Sequence, residues 1–131
     1  MQKKILVTIL FTTFLSFTVV FNSAFALPAF LGAEGFGAET VGGRGGKVYF
    51  VTNLNNSGSG SLRAAVEAAG PRIVVFKTGG TIVLRGSLTI ANPNITIAGQ
   101  TAPGGGILIK GGDLRIATHD VVIRYITVRR G

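Results

Sequence analysis

The chain of 131 residues has no cysteine, a single histidine (His119) and only five acidic residues. Without cysteine it can form neither a disulfide nor a thiolate metal site, so its stability has to come from packing or bound ions. One histidine without a second histidine or a cysteine excludes the usual zinc site and a nucleophile–histidine pair. We therefore expect His119 to lie at a solvent-facing corner.

The shortage of acidic residues leaves an excess of basic ones, with 13 Lys and Arg and a formal net charge of +8. Such an excess suits a polyanionic partner, whether acidic polysaccharide, nucleic acid or anionic lipid, and a merely solvated surface would have the same composition. A nucleotide site is excluded. Around Gly46-Lys47, Val41 and Val48 stand where a Walker loop needs glycine and a hydroxyl residue.

The first 26 residues have the form of a secretory signal peptide. Lys3 and Lys4 begin it, an uncharged apolar run extends over 5–21, and Ala24-Phe25-Ala26 supplies the small-x-small cleavage pattern. The alternative is a membrane anchor, but the run falls short of the roughly 20 apolar residues that a spanning helix needs. We expect cleavage after Ala26, a secreted, extracellular location, and one domain over 27–131.

Residues 81–127 repeat themselves at an offset of 26. The offset aligns Gly86 with Gly112, Leu88 with Leu114, Ile90 with Ile116, Ala91 with Ala117 and Ile97 with Ile123. A period of roughly 20 to 50 residues is typical of stacked repeat units, none of which can bury its apolar face alone. Strands are predicted at 47–52, 73–76, 81–84, 88–90, 95–98, 107–109, 114–116 and 121–128. Three strands in each repeat, without hairpin signals between them, predict an all-β chain that forms a parallel β-helix with three strands per coil.

One short helix is predicted before the run of strands. Ser61 or Ser59 is its N-cap, and Gly70-Pro71 ends it. Arg63 and Glu67 lie four residues apart on the wet face, where they can pair. The apolar face consists of Leu62, Ala65, Val66 and Ala69. We expect this helix to cap the open first edge of the stack, which would otherwise be a template for aggregation.

Candidate functional residues in the repeats are acids at corners and arginines on strands. Asn94 aligns with Asp120, and both residue types tolerate the left-handed backbone of a tight corner, where they would stack as a polar ladder. Asp113 and Asp120 could bind calcium or act as acid and base, but we favour turn and ladder roles. The arginines on successive strands are Arg115, Arg124, Arg129 and Arg130. Outward-facing arginines can fork onto carboxylates, so Arg124, Arg129 and Arg130 are the candidate substrate-binding residues, with a solvated surface as the alternative.

The end of the chain reads as strand from Val121 to Gly131, with no capping element behind it. Stacked-repeat folds need at least three repeats and a cap at each end, and about two coils are visible here. We therefore expect the N-terminal part of a longer protein. The alternative is a short exported protein that completes its stack by self-association.

Several stretches together resemble the pectate lyases of polysaccharide lyase family one. In chain order, the stretches that carry the resemblance are Gly32-Ala-Glu-Gly-Phe-Gly37, Gly42-Gly-Arg-Gly-Gly-Lys-Val48, Gly60-Ser-Leu-Arg63, Pro71-Arg-Ile-Val-Val-Phe76, Gly80-Thr-Ile82, Asn92-Pro-Asn-Ile-Thr-Ile-Ala-Gly-Gln-Thr-Ala-Pro-Gly104 and Val121-Val-Ile-Arg-Tyr125. They cover nearly the whole of 27–131. The segment from Ile95 to Gly104 is the most specific of them.

The resemblance implies a secreted, right-handed parallel β-helix that cleaves polygalacturonate by β-elimination. It further implies calcium held by aspartates, an arginine as the base, an acidic polysaccharide rather than nucleic acid or membrane as the partner, and a monomer when the enzyme is complete. No residue of this chain matches the family's calcium or catalytic positions, which are expected downstream of Gly131, so the chain alone is predicted to be inactive. The alternatives are another β-helix enzyme (a pectin lyase or an inverting polygalacturonase) and a non-catalytic exported glycan-binding β-helix.

Overall fold

The computed structural model describes residues 26–130. The predicted signal peptide therefore lies outside the described residues except for its last one, Ala26, which is exposed. The elements are β1 (Lys47–Val51), α1 (Leu62–Glu67), β2 (Arg72–Phe76), β3 (Gly80–Val83), β4 (Leu88–Ile90), β5 (Ile95–Ala98), a 3₁₀ turn (Gly99–Thr101), β6 (Ile107–Lys110), β7 (Leu114–Ile116), β8 (Val121–Arg124) and β9 (Ile126–Arg129). Within 26–130, no helix has the length and apolar character that crossing a membrane requires.

The strands form three parallel sheets. The first sheet has the order β1-β2-β5-β8, the second sheet β3-β6-β9 and the third sheet β4-β7. From β2 onward, consecutive strands fall in the first, second and third sheets in rotation. Over residues 26–130 there is one short helix beside nine strands, and these sheets confirm the predicted all-β class and its parallel strand arrangement.

The register follows the sequence repeat in two of the three sheets. Leu88 pairs with Leu114 in the third sheet, at the predicted offset. In the second sheet the pairing is shifted by one residue, because Thr81 lies opposite Leu108 rather than the residue before it. Ile107 pairs with Ile126, only 19 positions later. The last interval is short because a single residue separates β8 from β9, whereas a loop of eight residues separates β5 from β6.

The prediction of one strand over 121–128 is wrong. The chain turns at Tyr125, which has a φ of 55° and lies between β8 in the first sheet and β9 in the second. A positive φ at a residue other than glycine is uncommon and costs about 1 kcal/mol or more, so the strand cannot continue through it. As a result, Arg124 and Arg129 lie on different sheets.

The core consists of the inward-facing positions of the strands. In β5, Ile95 and Ile97 are buried while Thr96 between them is half-buried on the outer face. Burying one such isoleucine contributes about 1.5–3 kcal/mol, and the alternation concentrates these side chains on one face of every strand. The other fully buried inward side chains include Val74, Ile82, Leu88, Ile90 and Ile109.

Helix α1 begins as predicted and ends earlier. The hydroxyl of Ser61 accepts a hydrogen bond from the backbone N–H of Ala64 at 3.3 Å, which confirms the N-cap. The predicted end at Gly70-Pro71 is wrong, because the helix ends at Glu67. There the side-chain amide of Asn92 donates hydrogen bonds to the carbonyl oxygens of Glu67 and Ala68, which have no partner within the helix.

The helix packs its apolar face onto β1, β2 and β4. Leu62, Ala65 and Val66 are buried, but Ala69, which lies beyond the helix, is exposed. On the outer face, the predicted pair of Arg63 and Glu67 is formed at 3.3 Å. The helix is therefore amphipathic over two turns only.

A segment that we call the N-terminal strap, residues 27–46, lies on the outer face of the first sheet. The backbone N–H of Gly43 donates to Oγ1 of Thr96 at 2.9 Å, and the hydroxyl of Thr40 donates to Oδ1 of Asp120 at 2.7 Å. A Cβ at Gly43 would collide with the carbonyl oxygen of Arg72, so glycine lets the strap approach β2 closely. The strap thereby reaches from the start of β1 to the corner before β8.

Candidate functional site

The three candidate arginines lie at separate places. Arg124 ends β8, and its guanidinium lies 4.2 Å from the ring centre of Phe30 in the N-terminal strap and 5.3 Å from that of Tyr125. Arg130 follows β9, and its Nε lies 3.4 Å from Oδ1 of Asp113. Arg124 therefore contacts aromatic rings, whereas Arg130 contacts a carboxylate.

Arg129 and Arg130 are both exposed and each lines a pocket; the pocket beside Arg129, of about 640 Å³, is the larger of the two, and that beside Arg130 has about 280 Å³. Arg129 ends β9 in the second sheet, where its register partner is Lys110 of β6. Both residues occupy outward positions of adjacent parallel strands, which are about 4.8 Å apart. The sequence repeat did not single out Lys110. The signal that could have found it is the alternation in β6, in which Ile107 and Ile109 are buried and Lys110 is exposed.

The pocket next to Arg129 has a volume of about 640 Å³ and lies on the second sheet. Its wall is the loop from Pro103 to Gly106 and its floor includes Thr81 and Thr127. Gly104 and Gly106 have φ values of 63° and 83°, and a Cβ at either would meet nothing within 4 Å. Because this wall carries almost no side chains, the pocket is open to solvent on that side.

The two acids of the repeats are each held by other groups. Asp113 contacts Arg115 at 3.3 Å in addition to Arg130. Asp120 has a φ of 54°, and its carboxylate accepts a hydrogen bond from Thr40, while its Oδ2 lies 2.9 Å from Nδ1 of His119. These contacts, led by the Thr40 hydroxyl, hold the pKa of the Asp120 carboxyl below its usual range.

The predicted backbone conformation of the corners is present, but the side chain of Asp120 has a partner that was not predicted. The left-handed backbone predicted at both aligned corners is confirmed, with a φ of 59° at Asn94 as well as the one at Asp120. His119 is exposed on 77% of its side chain, which confirms the solvent-facing corner. The Asp120 carboxylate, however, binds the N-terminal strap through Thr40.

The acids of the described residues do not fit the calcium site that the resemblance implies. Calcium takes six to eight oxygen ligands, usually with several carboxylates. Residues 26–130 contain no group of three or more acidic, histidine or cysteine side chains that could hold a metal ion. Asp113 and Asp120 are separately engaged with arginines and with Thr40. We assign no metal ligand among these residues.

Arg72 is the most deeply buried charged side chain described and was missed by the sequence reasoning, which began β2 one residue later. It has no exposed surface, and its guanidinium donates five hydrogen bonds to backbone carbonyl oxygens. The five acceptors are those of Ala65, Val66, Gly70, Asn92 and Pro93. Burial lowers the pKa of Arg72 from its usual value. The residue is structural: it joins α1 to the corner before β5.

Comparison with known proteins identifies close relatives. No protein-family model matches the chain. It is 52% identical over 107 residues to a "Probable pectate lyase C" of Aspergillus fumigatus, which covers 81% of this chain and 25% of that protein. It is 51% identical over 120 residues to a protein of the same name from Emericella nidulans, which covers 91% of this chain and 28% of that protein. A "Probable pectate lyase 18" of Arabidopsis thaliana is 35% identical over 100 residues, 72% of this chain and 22% of that protein.

The chain spans about a quarter of the length of the curated relatives that it matches. These matches extend over most of the residues that form the three parallel sheets. Over the part of those proteins that it spans, the chain belongs to the pectate lyase family.

Proposed function

We propose that this chain is the N-terminal part of a secreted pectate lyase that cleaves polygalacturonate by β-elimination, and that its own residues bind the polymer. One observation carries the proposal: Arg129 lines an open, glycine-walled pocket, and its register partner on the adjacent strand is Lys110, so we call these two residues the basic pair. The names of the relatives favour this function over a pectin lyase, a polygalacturonase or a non-catalytic glycan-binding protein.

The basic pair suits a polymer that carries one carboxylate on each sugar. The guanidinium of Arg129 can donate two parallel hydrogen bonds to one carboxylate, and the ammonium of Lys110 supplies a point charge for a neighbouring one. Both side chains are exposed, so their attraction to the polymer is screened by salt. Of the three candidate arginines, Arg129 is therefore the one that we propose contacts substrate. Arg124 and Arg130 contribute to the positive field around it.

We also propose the architecture in which this surface is held. Each coil is a right-handed turn of three strands, one from each sheet, and α1 caps the first end of the stack. The rotation of consecutive strands among the three sheets and the packing of α1 on β1, β2 and β4 support it. Residues 1–26 are proposed as the signal peptide and 27–131 as the exported domain. N-terminal sequencing of the secreted protein should then give Leu27 as the first residue.

The chemistry of bond cleavage is proposed to come from parts of the enzyme other than the residues described. The acids of this chain do not fit the calcium site, and no step is assigned to them. We therefore expect the 131-residue chain by itself to give no unsaturated product from polygalacturonate in the presence of calcium. Absorbance of the 4,5-unsaturated product is the measurement, and activity of the isolated chain would contradict this assignment.

A chimera tests the function directly. The matched stretch of the Aspergillus fumigatus relative is replaced by the corresponding residues of this chain, and lyase activity is followed on polygalacturonate. We expect activity comparable to that of the parent enzyme. Arg129→Ala in the chimera should raise KM about threefold to tenfold, because an exposed charge-assisted contact contributes about 1 kcal/mol.

Arg85→Ala is the matched control, because Arg85 is also exposed but lies after β3, away from the pocket beside Arg129. We expect the KM of this control to be unchanged. A folded but inactive chimera beside an active parent would contradict the proposed function. Equal increases of KM in both variants would show that only overall charge matters and would remove Arg129 from the substrate-binding surface.

A further inference from the structure

Two stretches of the sequence have the form of an acceptor for N-linked glycans, which is Asn-x-Ser/Thr with any middle residue except proline. The first is Asn55-Asn56-Ser57 and the second is Asn94-Ile95-Thr96. The motif is short and arises often by chance, so the sequence alone does not separate the two. The structure separates them, because a glycan on a folded chain needs an asparagine side chain that reaches solvent and a hydroxyl two positions later that is not already bound.

The second stretch is built into the stack. Asn94 is a half-buried corner residue with a φ of 59°, and its carbonyl oxygen accepts a hydrogen bond from the backbone N–H of Arg72 at 2.9 Å. Ile95 is fully buried. The hydroxyl of Thr96 accepts a hydrogen bond from the backbone N–H of Gly43 in the N-terminal strap at 2.9 Å. An enzyme that recognises Asn94 and Thr96 together would have to displace the strap, so we assign no modification to this stretch.

The first stretch lies in the loop between β1 and α1, and its middle residue alone is held by the stack. Asn55 and Ser57 are exposed, whereas Asn56 between them is half-buried. Oδ1 of Asn56 accepts a hydrogen bond from the backbone N–H of Arg85 at 2.9 Å, and its carbonyl oxygen accepts one from Nε of Arg63 at 3.0 Å. The contacts that fix the middle residue therefore leave both side chains that the motif requires at the surface.

The backbone and the surroundings of Asn55 also suit a glycan. Its N–H donates to Oδ1 of Asn53 at 3.1 Å, which forms an Asx turn. Among the described residues, the bonds that hold this loop do not use the side-chain amide of Asn55. The three residues of the first stretch line an open depression of about 370 Å³ together with Val83 and Arg85. A sugar attached to Asn55 can therefore extend into solvent without displacing a buried side chain.

We propose that Asn55 is an N-glycosylation acceptor of the exported protein. The co-reactant is an oligosaccharide that is joined through a diphosphate to a lipid. The amide nitrogen of Asn55 forms a bond to C1 of the first sugar, the bond between C1 and the phosphate oxygen breaks, the lipid diphosphate leaves with the electron pair, and the amide gives up a proton. The hydroxyl of Ser57 is the group that the transferase recognises. The proposal rests on the proposed function only for export, because such transferases act on chains that enter the secretory pathway.

Secretion of the full chain from yeast, which carries this transferase, tests the proposal. We expect the mass of the secreted protein to exceed that of its polypeptide by a single glycan. An amidase that removes N-linked glycans should abolish this excess and leave aspartate at position 55, which peptide mass spectrometry locates. Asn55→Gln and Ser57→Ala should each eliminate the glycosylated form, whereas Ser57→Thr should retain it because threonine also satisfies the motif.

Ser59→Ala is the matched control, because Ser59 is an exposed serine of the same loop that lies outside the motif. This variant should carry the glycan in full. A secreted chain without a glycan, a glycan on Asn94 alone, or a glycan that survives both Asn55→Gln and Ser57→Ala would overturn the assignment. A chain that stays inside the cell would count against the proposed export. The same measurement, with residues 1–26 replaced by the host's own signal peptide, then decides on Asn55.

Discussion

Replacing Arg72 should be the most damaging single change in the described chain. All five N–H groups of its guanidinium are used by carbonyl oxygens, at 2.7–3.2 Å, and none of its acceptors is a carboxylate. The acceptors belong to the last turn of α1, the turn that follows it and the corner before β5. Loss of this side chain would remove the link between α1 and the corner before β5 and leave buried carbonyl groups without partners.

The magnitude follows from the number of bonds. A hydrogen bond from a charged donor contributes about 1.5–3 kcal/mol, and an unsatisfied buried acceptor costs about 1–3 kcal/mol. Removing the guanidinium also relieves the cost of burying its charge, which offsets part of the loss. We expect Arg72→Met to lower the free energy of unfolding by about 3–5 kcal/mol. Arg72→Lys should cost about 2–3 kcal/mol, since an ammonium has three donors where the guanidinium has five.

Urea denaturation followed by far-UV circular dichroism measures this difference. With a slope of about 1–3 kcal/mol per molar urea, a loss of 3 kcal/mol moves the midpoint down by about 1–3 M. Arg85→Met serves as the control, because Arg85 is exposed and its removal should change the free energy by less than about 0.5 kcal/mol. The reasoning would be refuted if Arg72→Met and Arg85→Met unfolded at the same urea concentration.

Substitutions at three further positions test the strap and the corners. Gly43→Ala should lower the thermal midpoint and reduce the free energy of unfolding by about 1–3 kcal/mol, because the new Cβ would collide with the carbonyl of Arg72. Gly37→Ala is the control and should leave the midpoint unchanged, because a Cβ at Gly37 meets nothing within 4 Å. The pKa of Asp120 lies below its ordinary value of 3.8, so its carboxylate stabilises the folded chain above that pH and this contribution is lost as the pH falls through the folded pKa. Thermal melts of Asp120→Asn should therefore show a smaller loss of stability on the acid side than the unsubstituted chain, and parallel curves would refute the role of this carboxylate. Tyr125→Gly should change the free energy of unfolding by no more than about 1 kcal/mol, because glycine adopts the φ of 55° without strain. Tyr125→Val should lower the free energy of unfolding by about 1–2 kcal/mol, because a β-branched residue is strained at that φ. Equal urea midpoints for the two variants would contradict this account of the corner.

The sequence predicted the class of fold and most strands because those depend on local alternation. The bounds predicted for 88–90, 95–98 and 114–116 match β4, β5 and β7. The break at Tyr125 could not be predicted, because tyrosine has no preference for a left-handed corner and only the stacking of β8 on β5 and of β9 on β6 imposes it. The early end of α1 depends on Asn92, 25 residues from the carbonyl that it bonds, and no local signal reports such a partner.

The surroundings of the candidate site residues were less predictable than the fold for a related reason. Three arginines were selected by residue type and position on strands, but their surroundings depend on which sheet each strand joins. Arg124 contacts Phe30 of the strap, Arg130 contacts Asp113 and lines a smaller pocket with it, and Arg129 lines the pocket of about 640 Å³ on the second sheet. The partner of Arg129, Lys110, lies 19 positions earlier, a spacing that differs from the repeat and follows only from the register of β6 and β9.

The N-terminal strap also sets the order in which the chain can fold. The hydrogen bond between Thr40 and Asp120 joins positions 80 residues apart, and closing a loop of that length is slow compared with forming the neighbouring strand pairs. During synthesis, the strap is made before the strands but has no partner at its far end until Asp120 and Arg124 have followed. Docking of the strap is therefore expected late in folding, and the contact between Phe30 of the strap and Arg124 of β8 reports that β8 is in place.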